Sequence, residues 1–157
     1  MAFTGSTSSG SIDGGKDVTA ATTPILLYDG TCGVCARSIQ FVLRNEPPNG
    51  QLRFARLEGS IGTELRGRHP ELLAVDSVLW FEPATPTSPE RLLARSGAAL
   101  RVAGYLGGGW RLLASLGAAV PAPLRDAAYD WIARHRRQLA PEACLVPTPA
   151  QGRRFID

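Results

Sequence analysis

The stretch Ile25-Leu26-Leu27-Tyr28-Asp29-Gly30-Thr31-Cys32-Gly33-Val34-Cys35 decides the fold. Its first four residues form an apolar run of the kind found in a buried strand. The following Ala36-Arg37-Ser38-Ile39-Gln40-Phe41-Val42-Leu43 has the spacing of an amphipathic helix. Two cysteines three apart at a strand-to-helix junction are the usual setting of a dithiol redox site. Cys32 is expected at or just before the first helical turn, where unpaired backbone N–H groups and the helix dipole favour a thiolate. It therefore reads as the nucleophile, open to solvent. Cys35 lies one turn on, on the same face, with a Cα separation of roughly 5–6 Å, inside disulfide range. Asp29 is either a proton acceptor for Cys35 or a turn former, as Asp-Gly pairs often are. Gly33 keeps the loop small enough for a partner's backbone to approach.

Outward from this motif, Pro47-Pro48-Asn49-Gly50 marks a turn and residues 52–57 alternate as a second strand. A short helix over 58–68 is interrupted by Gly59, Gly62 and Gly67. Residues 75–81 and 90–95 predict a hairpin across a Pro-rich loop. With residues 24–29 they make one sheet, strands one and two parallel, three and four antiparallel. Ser96 is placed as N-cap of a helix over 97–106, ended by Gly107-Gly108-Gly109. Further helices follow over 110–116 and 124–139. The last carries Leu124, Ala128, Trp131, Ile132, His135 and Leu139 on one apolar stripe. The expected product is an α/β, thioredoxin-like domain over 24–157: a central mixed sheet of about four strands, flanking helices and a helical C-terminal extension.

The 157 residues carry a net charge of +3, with 44% hydrophobic and 20% charged residues, which suits one globular domain. Sixteen arginines and the single Lys16 supply the positive charge, without a long basic run, so nucleic-acid binding is not expected. Three cysteines, an odd number, argue against a secreted disulfide framework. Residues 1–23, rich in Ser, Thr and Gly, predict a disordered tail without a signal segment. The apolar stretch 112–124 is broken by Pro121 and Pro123 and is too short to span a membrane. A cytoplasmic setting is the expectation.

Beyond the opening motif, several further stretches resemble the DCC family of predicted thiol–disulfide oxidoreductases. They are Leu52-Arg53-Phe54-Ala55, Asp76-Ser77-Val78, Arg95-Ser96-x-Ala98-x-Leu100, Gly109-Trp110-Arg111-Leu112-Leu113, Pro123-Leu124-Arg125-Asp126-x-x-Tyr129-x-x-Ile132-Ala133-x-x-Arg136 and Cys144-Leu145-x-Pro147-Thr148-Pro149. The likeness covers roughly residues 24–156. It implies a thioredoxin-like fold and a dithiol role for Cys32 and Cys35. Gly30, Gly33, Ser77 and Ser96, inside these motifs, are candidate substrate-binding positions. The junction Val75-Asp76-Ser77-Val78 lacks the proline that thioredoxins carry opposite their dithiol.

The expected function is thiol–disulfide exchange through a mixed disulfide on Cys32, resolved by Cys35, with Asp29 assisting. No cofactor is called for. The partner is an unidentified protein or small-molecule thiol or disulfide. Two alternatives stand beside it: a thiolate metal site using Cys32, Cys35 and Cys144, and a non-catalytic binding protein docking through apolar helices 110–139. Cys144 is either a third redox thiol or a buried anchor for a C-terminal strap stiffened by Pro147 and Pro149.

Overall fold

The computed structural model describes residues 22–75, 77–140 and 147–156. Most of the expected tail, along with Asp76 and Cys144, lies outside the described residues. Four strands, β1 (Ile25–Tyr28), β2 (Arg53–Arg56), β3 (Leu79–Glu82) and β4 (Arg91–Ala94), form one sheet in the order β2-β1-β3-β4. β1 pairs parallel with β2 and antiparallel with β3, and β3 pairs antiparallel with β4. Six α-helices accompany it among the described residues: α1 (Gly33–Asn45), α2 (Ser60–Arg68), α3 (Arg95–Leu106), α4 (Gly108–Ala118), α5 (Ala122–Leu139) and α6 (Pro149–Gly152). The mixed four-stranded sheet with flanking helices is the thioredoxin-like layout.

β1 is apolar throughout because both its faces are covered. Leu26 and Tyr28 join Ile39, Val42, Phe54 and Trp80 in one core layer. Ile25 and Leu27 join Ile61, Leu65, Leu79 and Phe81 in the other. The strands are shorter than the sequence suggests. β3 starts at Leu79 because its register against β1 runs only from Leu27↔Leu79 to Ile25↔Phe81. The residues before it include a 3-10 turn at Pro70–Leu72.

α2 seats against the end of β2 through Gly62. A Cβ there would lie 2.3 Å from the Arg56 carbonyl oxygen and 2.5 Å from that of Leu57. Backbone cannot yield as a flexible side chain does. Gly62→Ala is expected to cost about 1–3 kcal/mol. By calorimetry the melting temperature should fall by roughly 2–12 °C. An unchanged value would show that α2 does not depend on this approach.

Three local expectations are corrected. Ser96 is not an N-cap: α3 begins at Arg95, two residues earlier than expected, with Ala94 as its cap residue, and the Ser96 hydroxyl donates to Asp126 on α5 instead. The α5 stripe is not core: Leu124, Trp131, Ile132 and Leu139 are all exposed. α5 turns its Asp126–Tyr129–Ala133–Arg136–Ala140 side inward, because Asp126 and Arg136 find partners on α3 and at the end of β1. The C-terminal strap is not extended throughout. Thr148 and Gln151 form a capping box that winds residues 149–152 into α6.

Candidate functional site

The turn after β1 is built by Asp29. Its Oδ1 accepts from the Thr31 amide and the Thr31 hydroxyl, each at 2.8 Å. The Asp29 carbonyl accepts from the Cys32 amide at 3.3 Å. This Asx turn delivers Cys32 to the N-cap position of α1, with extended backbone angles (φ −83°, ψ 114°). There the Cys35 amide donates to Cys32 Sγ at 3.4 Å. A sulfur that caps a 13-residue helix faces the orphan donors of its first turn. Both thiols are free.

Cys32 is not the solvent-open thiol expected: it is 9% exposed, against 5% for Cys35. Over this end of the sheet, α5 packs on α1 and α3. Arg136 brings its guanidinium to 3.7 Å from Asp29 Oδ2. One heptad earlier on the same helix face, Tyr129 lies close enough to Cys35 for the two to interact electrostatically.

Burial pushes the Cys35 thiol up to about 12, helped by its hydrogen bond with Cys32 and by the Cys32 charge. Asp29 acts on Cys35 in opposite senses: its backbone hydrogen bond lowers the pKa and its carboxylate charge raises it. Tyr129 is also raised, first by burial; Ser77, the Val78 backbone and Arg136 pull it back.

The other sequence candidates fall as follows. Gly33 is the buried first residue of α1. Gly30 is half-buried, and a Cβ there would only touch the Arg56 side chain at 3.4 Å. Ser77, just before β3, lies beside Tyr129. Its buried hydroxyl has no hydrogen bond of ordinary geometry among the described residues. Ser96 is engaged with Asp126. The sequence alone assigns no role to Tyr129 or Arg136. The signal for them is the spacing 126, 129, 133, 136, a helical stripe that a search for apolar periodicity passes over.

Two cavities share Tyr129 as a wall. The larger, about 560 Å³, is apolar and runs between α1 and α3, lined by Val34, Phe41, Val102, Leu106 and Trp110 among others. The smaller, about 340 Å³, is half polar and half apolar and includes Ser77, Arg95, Asp130, Arg134 and Arg136 in its wall. Among the described residues no group of three His, Cys, Asp or Glu is placed to hold a metal ion, and no helix is long and apolar enough to cross a membrane.

A helix-capping dithiol at the carboxyl end of the first strand of this sheet defines a protein of the thioredoxin-like dithiol class. The profile of the DCC1-like thiol-disulfide oxidoreductases matches residues 26–141, and the chain belongs to that family. It is 31% identical over 135 residues to the uncharacterized protein YuxK of Bacillus subtilis (strain 168), covering 84% of this chain and 93% of the relative. It is 30% identical over 116 residues to the DCC family protein At1g52590, chloroplastic, of Arabidopsis thaliana, covering 72% of this chain and 62% of that protein. No solved structure matches the chain.

Proposed function

We propose that the protein is a thiol–disulfide oxidoreductase that works through a mixed disulfide on Cys32. The observation that carries this reading is the Cys35 amide donating to Cys32 Sγ at the N-terminus of α1. Those donors stabilise negative charge on Cys32 sulfur. Cys32 thiolate attacks a partner disulfide; one partner sulfur leaves as a thiolate and takes a proton from solvent. Cys35 then gives up its proton and attacks Cys32 Sγ. The second partner thiol leaves, and Cys32 and Cys35 are left as a disulfide. Two electrons have passed from the dithiol to the partner. Asp29 holds the turn and places a negative charge beside Cys35. The partner is a protein or small-molecule disulfide, and the odd cysteine count fits a cytoplasmic setting.

The test is capture. Reduced Cys35→Ser, mixed with a small disulfide, should accumulate a mixed disulfide on Cys32, seen as an intact-mass increment and located by peptide mapping. Cys32→Ser should capture little. Capture on Cys35 or Cys144, or on none of the three, would overturn the assignment.

A further inference from the structure

The smaller cavity, walled by Tyr129 and Arg136, is more than a gap under α5. Ser77 is 8% exposed, and its hydroxyl lies beside Tyr129 in the cavity wall. It lines the same cavity as Arg95, Arg134 and Arg136. Arg95 is the only non-glycine residue with positive φ (52°) among the described residues. Backbone held in the left-handed region tends to mark sites where position matters more than ease.

Two of the three cations have carboxylate neighbours. Arg95 Nε is 3.5 Å from Asp130, and Arg136 Nη2 is 3.7 Å from Asp29. Arg134 is the third arginine of the cavity wall. Guanidinium forks match carboxylates in shape as well as charge. The cavity also connects to the chemistry. Tyr129 is both its wall and a neighbour of Cys35, and Arg136 reaches the turn that carries Cys32. At about 340 Å³ it is sized for one arm of a small molecule, not for a folded partner.

We propose that the cavity formed by Ser77, Arg95, Tyr129, Arg134 and Arg136 seats the carboxylate arm of a low-molecular-weight disulfide, holding its sulfur–sulfur bond against Cys32. This rests on the dithiol reading above and names its substrate class. Cys32 thiolate forms the new S–S bond with the substrate's near sulfur, and the far sulfur leaves as a thiolate. Cys35 then releases the carboxylate-bearing thiol. The substrate is reduced to two thiols, the protein is oxidised, and an external dithiol returns it to the reduced form.

The experiment uses reduced full-length protein and three disulfides of similar length: 3,3′-dithiodipropionate (anionic), bis(2-hydroxyethyl) disulfide (neutral) and cystamine (cationic). Each single-turnover rate is divided by that of a small free dithiol with the same disulfide, which removes intrinsic reactivity. The anion is expected to be favoured over the neutral compound by about tenfold or more. That ratio should fall at least threefold, roughly, in Arg134→Gln and in Arg95→Asn, asparagine being tolerant of positive φ. No anion preference, or a preference that survives both substitutions, overturns the proposal. Suberate, the carbon analogue of dithiodipropionate, reads the cavity without redox chemistry. If no disulfide reacts but suberate binds and both substitutions weaken it, the cavity assignment stands and the redox reading falls. If disulfides react and suberate does not bind, the cavity assignment falls alone.

Discussion

Release of the mixed disulfide from Cys32 is expected to accelerate roughly tenfold per pH unit from about pH 6 to about pH 9, without a plateau in that range. The reason is the position of Cys35. Its thiol is pushed up to about 12, chiefly by burial and then by its bond to Cys32 and the charge there. Once Cys32 is tied up in a mixed disulfide its charge is gone, but the burial remains. The attacking thiolate is still scarce at neutral pH, and each added unit of pH raises its population tenfold. Stopped-flow or quenched measurement of mixed-disulfide lifetime across pH checks this. A plateau near neutrality would show that Cys35 is solvated when it attacks. Asp29→Asn sharpens the test. Its carboxylate charge is the smallest of the causes that raise Cys35, so removing it should move the profile to slightly lower pH and modestly shorten the lifetime at neutrality. A longer lifetime at every pH would instead make Asp29 the proton carrier. The linkage to stability has a definite sign. A thiol whose folded pKa is raised stabilises the reduced fold fully below about pH 8.5, and that contribution is lost as pH climbs toward the folded value. Heat stability of the reduced protein should therefore decline on the alkaline side.

The residues that were legible in advance are those whose signal is local. Ile25–Tyr28 is uniformly apolar because both its neighbours in space are covered faces, and Asp29-Gly30 turns the chain by bonds made within two residues. The parallel pairing of β1 with β2 follows from the length of the α1 crossover. What the sequence concealed depends on contacts far along the chain. Gly62 resembles a helix breaker until β2 is placed against it; then its missing side chain is what lets α2 seat. Ser96 is a fair cap by composition, but Asp126, thirty residues on, competes for its hydroxyl. The α5 stripe was read from hydropathy, which assumes that the inward face is the apolar one. On α5 the inward face carries Asp126, Tyr129 and Arg136, because it covers a polar turn and two thiols. The two cysteines are thus legible from their spacing. The groups that enclose them and set their surroundings were not.

Phe54→Ala is expected to cost about 3–5 kcal/mol, a fifth or more of the stability of an ordinary domain. Thermal unfolding should shift down by roughly 6–20 °C. Phe54 is fully buried at the centre of β2, the outer strand of the sheet, where an open edge would be left unpaired. The C-terminal segment covers that edge. The Phe54 amide donates to the Arg154 carbonyl at 2.8 Å, and the Ile156 amide donates to the Phe54 carbonyl at 3.0 Å. The Phe155 ring stacks on Phe54 with centroids 5.1 Å apart, and the Arg154 guanidinium lies over the Phe54 ring at 5.4 Å. Arg154 also donates to the Leu52 carbonyl and to Glu46 at the end of α1. One ring therefore supports the core layer beneath the dithiol and anchors the last described residues of the chain. Neighbours sharing a contact do not add, so Phe54→Ala and Phe155→Ala together should cost less than their sum. If the two changes are strictly additive, the rings act separately, and the C-terminal segment is held by its backbone bonds and Arg154 instead. If Phe54→Ala costs no more than Phe155→Ala, the energy at this site belongs to the strap and not to the core beneath it.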